Sequence, residues 1–64
     1  MKVYIAKDED GKIYLYSGKP QRGRDAWLPY GCVLPIKEKD LPEGVNPQWE
    51  DDEPIEIELK IEKI

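Results

Sequence analysis

Few side chains in this chain of 64 residues have the types and spacing that catalysis requires. The sequence contains no histidine, so its single cysteine, Cys32, has no imidazole to activate it as a nucleophile. The acidic residues cluster in predicted turns or beside strand faces that meet solvent, not in a pocket suited to general acid or base chemistry. We therefore expect a non-enzymatic protein with no cofactor, and we predict that Cys32 is a buried structural thiol.

A run of cations at residues 18–24 could instead bind anions. The run Gly-Lys-Pro-Gln-Arg-Gly-Arg places Lys19, Arg22 and Arg24 within six residues. It lacks the Gly-Lys-Ser/Thr ending and the following helix of a phosphate-binding loop. As a mobile arm it could contact a phosphate backbone or a partner's carboxylates, and an ordinary solvated loop is the simpler interpretation.

Tyrosines that alternate along the first two predicted strands suggest either a binding platform or a core face. Single-stranded nucleic acids stack on such aromatic rows. The candidate nucleic-acid surface consists of Tyr4, Tyr14, Tyr16, Lys19, Arg22 and Arg24. However, the net charge of −4 opposes nucleic-acid binding, and Trp27, Tyr30 and Trp49 need an apolar surface to pack on. We therefore predict that the tyrosine face is core, covered by a long loop.

The charges divide the chain into a basic and an acidic part. Residues 1–39 hold eight Lys/Arg against five Asp/Glu, whereas residues 40–64 hold two against nine. The simpler interpretation is that the two parts pair across a sheet. The alternative is an acidic surface that imitates nucleic acid and inhibits a host enzyme through residues 50–53, Glu56 and Glu58. The four contiguous carboxylates at 50–53 lack the glycine turn and alternation of a calcium loop, so we expect no metal site.

Residues 2–17 predict a β-hairpin. A three-residue loop of Glu9, Asp10 and Gly11 sets Ile5 opposite Leu15, which segregates aliphatic from tyrosine side chains. A two-residue turn would mix them on both faces, so we favour the three-residue loop. Val3, Ile5, Ile13 and Leu15 then share one face, and Tyr4, Ala6, Tyr14 and Tyr16 share the other.

The middle of the chain shows less order. Residues 18–31 contain three glycines and two prolines without any period, which predicts a long loop. Residues 32–36 predict a short third strand, at an edge or a bulge because Pro35 cannot donate a ladder hydrogen bond. Residues 37–48 hold at most one helical turn, near residues 39–41.

Residues 55–61 give the clearest pattern, because apolar residues alternate with charged ones as in a strand with one buried face. This strand is longer than its predicted neighbours, so part of its edge should lack a partner. We therefore predict a single domain, residues 1–64, of the all-β class. It is a small antiparallel sheet of three or four strands, with an N-terminal hairpin, a short third strand, a long C-terminal strand and long loops.

Composition limits the setting of the protein. One cysteine allows no internal disulfide, and no segment approaches the roughly 20 apolar residues of a membrane span. The N-terminus lacks the basic and then apolar pattern of a signal peptide. We therefore expect a cytoplasmic protein that does not contact membranes.

Two parts of the chain resemble short uncharacterised bacterial reading frames of the kind found in prophages and conjugative elements. The stretches that carry the resemblance are Tyr4-Ile5-Ala6 with Asp8, Asp10-Gly11, Tyr14-Leu15-Tyr16, Gly18-Lys19-Pro20 and residues 49–59. They cover about half of the chain, and residues 21–48 match nothing. The resemblance implies no activity, cofactor or site residue, and it favours an accessory protein of a mobile element.

Our first hypothesis is a protein-interaction module that binds through the edge of the final strand or the loop at residues 19–30. The candidate interaction residues are Lys19, Arg22, Arg24, Trp27, Tyr30, Leu59, Ile61 and Ile64. The partner is another protein or a second copy of the chain, paired through residues 54–64. Single-stranded nucleic-acid binding and the acidic mimic are the alternatives, and net charge makes nucleic acid the less favoured partner.

Overall fold

The structure is a computed structural model that describes residues 1–58. Within them the strands are β1 Lys2–Lys7, β2 Ile13–Tyr16, β3 Gln21–Arg22, β4 Trp27–Leu28, β5 Val33–Ile36 and β6 Ile55–Glu58. Strands β5, β2, β1 and β6 form a four-stranded antiparallel sheet in that order, and β3 pairs with β4 in a separate ribbon. One turn of 3-10 helix, Glu38–Asp40, follows β5. The predicted all-β class is confirmed, and the predicted hairpin, short third strand and final strand are present as β1–β2, β5 and β6.

The β1–β2 hairpin has the register that its side chains predict, with Tyr4 opposite Tyr16. The Gly11 N–H donates to the Asp8 carbonyl at 2.9 Å, and the Asp8 N–H donates to the Lys12 carbonyl at 2.8 Å. Gly11 has a φ of 91°, in the region that favours glycine. A type I turn closed by a glycine bulge produces this pattern, so the three-residue loop is confirmed.

One face of the sheet is aliphatic. Val3, Ile5 and Ile13 are at most 5 % exposed. Strand β6 places Ile55 opposite Ile5 and Ile57 opposite Val3, so the alternating strand closes on the aliphatic side of the hairpin as predicted. The remainder of that predicted strand lies outside the described residues.

The other face carries the tyrosines and is also core. Its buried cluster is Ala6, Tyr16 and Trp27, with Tyr4, Tyr14 and Trp49 packed against it. Trp27 comes from β4, so residues 18–31 fold over the tyrosines and the prediction of a covered tyrosine face is confirmed. The prediction of a plain loop there was wrong, because the β3–β4 ribbon lies within it. Each strand of the ribbon has two residues, too few to show a period.

Trp27 fixes the ribbon to the hairpin. Its backbone N–H donates to Asp8 Oδ1 at 2.9 Å, and its indole Nε1 donates to the Lys7 carbonyl at 3.1 Å. A third bond runs from the Glu9 N–H to the Asp25 carbonyl at 3.3 Å. The buried indole therefore has its polar group satisfied, and the ribbon meets the end of β1.

The prediction that Cys32 is buried was wrong, because its side chain is exposed. Its backbone is held on both sides, since its N–H donates to Ser17 Oγ at 2.7 Å and its carbonyl accepts from the Ser17 N–H at 3.0 Å. Cys32 immediately precedes the edge strand β5, and Leu34 of that strand is exposed too, at 60 %. The apolar run at residues 32–36 indicated burial, but an edge strand of a small sheet has a neighbour on one side alone.

Strand pairing determines which backbone groups of β6 point away from the sheet. In an antiparallel ladder, hydrogen-bonded pairs alternate with pairs that are not bonded. The bond that closes the hairpin loop makes the even-numbered residues of β1 bond to β2, so its odd-numbered residues bond to β6. Ile55 and Ile57 are the partners of those odd-numbered residues. The amide and carbonyl groups of Glu56 and Glu58 therefore point outwards.

The opposite edge, β5, carries a proline at an outward position. The bond from the Ser17 N–H to the Cys32 carbonyl makes the even-numbered residues of β5 bond to β2. Val33 and Pro35 consequently face outwards, so Pro35 removes no bond from the ladder. This confirms the prediction that Pro35 marks an edge strand. It also leaves the β5 edge with fewer donors than β6.

Candidate protein-interaction surface

A groove brings together four of the predicted interaction residues. Lys19, Arg22, Trp27 and Tyr30 line a cavity of about 520 Å³. Its other walls are Pro20, Gln21, Asp52, Glu53 and Pro54. The basic part of the chain thus meets the acidic part, and Pro54 connects the groove directly to the first residue of β6.

Arg22 makes several contacts at one side of this groove. Its guanidinium Cζ lies 3.7 Å from the centroid of the Trp49 ring and 5.3 Å from that of Trp27. Its Nη1 donates to the carbonyls of Trp49 and Asp51, at 2.9 Å for the latter. Stacking and hydrogen bonding of this kind suit a planar cation. Arg22 therefore ties the ribbon to the chain that leads into β6.

The other predicted interaction residues are placed differently. Trp27 is 4 % exposed and belongs to the core, so its ring offers little contact area, whereas Tyr30 is 72 % exposed. Lys19 pairs with Glu53 at 3.5 Å, and Arg24 is exposed. Three further candidates lie outside the described residues: Leu59, Ile61 and Ile64.

The candidate nucleic-acid surface is divided between core and solvent. Tyr16 is 2 % exposed, and Tyr4 and Tyr14 are half-buried against the aromatic cluster. Stacking on bases requires open ring faces, which the covering ribbon restricts. All three cations are exposed, but Arg22 stacks on Trp49 and Lys19 pairs with Glu53, whereas Arg24 makes no such contact among the described residues.

Ion pairs among the described residues join the basic part of the chain to the acidic part. They are the Met1 amino group with Glu58 at 3.3 Å, Lys2 with Glu56 at 3.9 Å, and Lys19 with Glu53 at 3.5 Å. All six partners are more than half exposed at their side chains, so each pair stabilises the fold weakly. These pairs agree with the simpler interpretation of the charges, in which the basic and acidic parts of the chain pair with each other.

The open edge of β6 is the second component of the surface. Within residues 1–58, β6 pairs with β1 alone, so the outward groups of Glu56 and Glu58 have no strand partner. The sequence predicted an open edge along the final strand, but it did not identify Glu56 and Glu58 as the residues whose backbone groups face outwards. The signal was available in principle, since the hairpin register and strand alternation together determine which residues face outwards.

Tyr16 makes stability sensitive to alkaline pH. Burial, and to a lesser extent nearby Asp8 and then Tyr14, raises the pKa of Tyr16 from 10.0 to about 12. As pH rises past 10.0, the unfolded state loses this proton first. We therefore expect the contribution of Tyr16 to the free energy of unfolding to be constant below that pH and to fall between pH 10 and 12. Urea unfolding at a series of pH values tests this, and an equally steep fall in Tyr16→Phe would contradict it.

Comparisons with protein-family models, with curated proteins and with solved structures found no match for this chain. No helix within residues 1–58 combines the length and apolar character needed to cross a membrane. The same residues contain no group of three or more Cys, His, Asp or Glu side chains placed to hold a metal ion.

Proposed function

We propose that this protein is an interaction module that takes up an extended segment of another protein as an additional strand on the outer edge of β6. The observation that supports this most strongly is the pair of outward-facing residues, Glu56 and Glu58, whose backbone groups have no strand partner within residues 1–58. Strand addition uses such an edge, with main-chain hydrogen bonds for affinity and alternate side chains for specificity.

The two edges of the sheet differ in how well they can accept a strand. Natural sheets guard their edges with proline, charge or bulges. At the β5 edge, Pro35 occupies an outward position and removes a donor. At the β6 edge, Glu56 and Glu58 carry charges that oppose unselective pairing, but they keep their amides, so a ladder can form there with a strand of complementary charge. This difference favours β6 as the acceptor.

The groove extends this surface beyond the strand. It begins at Pro54, immediately before β6, and it carries the exposed ring of Tyr30. A segment paired with β6 can therefore continue towards the groove. A second copy of the chain is the alternative occupant of the edge.

The resemblance to reading frames of prophages and conjugative elements supports an accessory role in such an element. The lack of a possible internal disulfide supports a cytoplasmic setting.

A proline at position 56 should abolish binding without unfolding the protein. Because the Glu56 amide points outwards, Glu56→Pro removes a donor from the open edge and none from the β1–β6 ladder. We expect the free energy of unfolding to change by less than about 1 kcal/mol. The matched control is Glu56→Gln, which removes the charge and keeps the amide.

The measurement is a comparison of the proteins that immobilised wild type and the two variants retain from a bacterial extract, identified by mass spectrometry. We expect at least one protein of the extract to be retained by wild type and by Glu56→Gln but not by Glu56→Pro. Equal retention by the proline variant would show that the β6 edge is not the binding surface.

A further inference from the structure

The two faces of the β6 edge differ in chemistry. The half-buried side chains of Ile55 and Ile57 lie on the aliphatic face. Glu56 and Glu58 lie on the opposite face, with side chains 54 % and 59 % exposed. A strand added to this edge would therefore place alternate side chains beside aliphatic groups and beside carboxylates.

Carboxylates continue past the start of the strand. Asp52 and Glu53 line the groove that begins at Pro54, and the Glu53 side chain is 75 % exposed even though Lys19 lies 3.5 Å away. Opposite charges on neighbouring strands are favourable and like charges are unfavourable. Three of the carboxylates along this surface already pair with the Met1 amino group, Lys2 and Lys19, but each of the three stays more than half exposed, so one side of the surface can accept further cations.

Tyr30 gives the groove an exposed aromatic wall as well as an acidic one. Its ring is on the surface of the groove that Asp52 and Glu53 also line. An arginine side chain can place its guanidinium against an aromatic face while a carboxylate neutralises its charge. The two cations that also line the groove are engaged within the chain, Arg22 with Trp49 and the Asp51 carbonyl and Lys19 with Glu53. The Tyr30 ring and the Asp52 carboxylate are therefore the part of the groove that suits a basic side chain at the end of the added strand.

We propose that the partner segment is an amphipathic strand in which aliphatic residues alternate with basic ones, and that a terminal arginine of this segment lies in the groove lined by Tyr30 and Asp52. This inference rests on the proposed function, because it names the chemistry of the segment that β6 accepts. Its aliphatic residues extend the face formed by Ile55 and Ile57, and its basic residues face Glu56 and Glu58.

The same charges disfavour a second copy of β6 in the register centred on Ile57. Two β6 strands paired antiparallel about Ile57 would set Glu56 of each opposite Glu58 of the other. Like charges directly opposite on neighbouring strands are destabilising. A basic strand has the complementary pattern.

Synthetic peptides of about seven residues, a usual strand length, test the proposal. One alternates lysine and valine and ends in arginine, the second replaces the basic residues with glutamate, the third with threonine, and the fourth has the composition of the first in separate lysine and valine blocks. Binding is followed by amide chemical shifts of the full chain at low and moderate salt. We expect the alternating basic peptide to bind at least about tenfold more tightly than each of the others.

Variants assign the contacts. Glu56→Lys should weaken the alternating basic peptide about fivefold to tenfold, whereas Glu43→Lys, the same change of charge at an exposed residue outside the strands, should weaken it less than about twofold. Tyr30→Ala should weaken the peptide that ends in arginine and leave unchanged a version that lacks the arginine. Equal effects of Glu56→Lys and Glu43→Lys would overturn the proposed charge pairing.

The remaining outcomes separate this inference from the proposed function. If the threonine peptide binds as well as the basic one and Glu56→Pro abolishes both, strand addition stands and the basic partner is overturned. If binding of the basic peptide survives Glu56→Pro, or the block peptide binds equally well, the peptide binds by general charge attraction. Both strand addition and the basic strand partner are then overturned. A dimer in sedimentation that Glu56→Pro disrupts would make a second copy the occupant and overturn the basic strand. Absence of binding by every peptide also overturns it.

Discussion

Replacing Trp27 with alanine is expected to abolish cooperative folding. Trp27 is 4 % exposed, and its ring joins the ribbon to Ala6 and Tyr16. Truncation of a buried tryptophan costs about 3–5 kcal/mol. A single core in a domain of this size rarely supplies more than about 3–5 kcal/mol in total. The change also leaves the Lys7 carbonyl without its indole donor.

Circular dichroism and urea unfolding of Trp27→Ala measure this effect. Tyr30→Ala is the matched control, because it truncates an aromatic residue of the same loop that is 72 % exposed. It should change the free energy of unfolding by less than about 0.5 kcal/mol. A cooperative transition in Trp27→Ala that loses less than about 1 kcal/mol would show that the ribbon is not part of the core.

Replacing Arg22 with lysine is expected to have the next largest effect, a loss of about 1 kcal/mol, although the charge is conserved and the side chain is exposed. The guanidinium stacks on Trp49 and donates to two carbonyls, those of Trp49 and Asp51. An ammonium group has no planar face to stack on the Trp49 ring, even if its nitrogen reaches one of the carbonyls. We therefore expect the chain around Trp49 to separate from the ribbon in the variant.

Urea unfolding and tryptophan fluorescence measure the effect of Arg22→Lys. The control is Arg24→Lys, the same chemical change at an exposed position two residues further along. We expect a red shift of the emission and lower stability for Arg22→Lys alone. If the two variants are equally stable, the contacts of Arg22 contribute nothing specific to the fold.

The parts of the fold that local sequence determines were predictable. Asp10-Gly11 specifies the hairpin loop, and the segregation of aliphatic from tyrosine side chains selects its register. Alternation from Ile55 onward indicates β6 and its buried side, while Pro35 indicates an edge strand. Each of these features depends on neighbours in the chain or on one strand pair, so a short pattern carries the necessary information.

The features that depend on distant contacts were not predictable. Arg22 contacts the rings of both Trp27 and Trp49, and it donates to the Trp49 carbonyl, 27 residues away. No local pattern in the sequence predicts these contacts. Likewise, Cys32 is exposed because β5 lies at an edge, which depends on the order of all four strands. Tertiary packing, rather than local propensity, determines both outcomes.

Four of the residues predicted to bind a partner lie together in the structure, and their role in binding stays a prediction. Lys19, Arg22, Trp27 and Tyr30 were named as interaction residues, and the structure brings them to one groove. Their roles differ, because Trp27 is buried in the core, whereas Arg22, Lys19 and Tyr30 are exposed, and Arg22 among these stacks on Trp49. Sequence gives the residue types that could bind a partner, but burial decides which of them are accessible.

Amide hydrogen exchange of β6, resolved residue by residue by NMR, tests the open edge most directly. In the free protein, we expect protected amides at Ile55 and Ile57. We expect rapid exchange at Glu56 and Glu58, because their amides point away from β1. On binding of the alternating lysine and valine peptide, Glu56 and Glu58 should become protected. Protection of these two amides in the free monomer, or their continued rapid exchange in the complex, would contradict strand addition at β6.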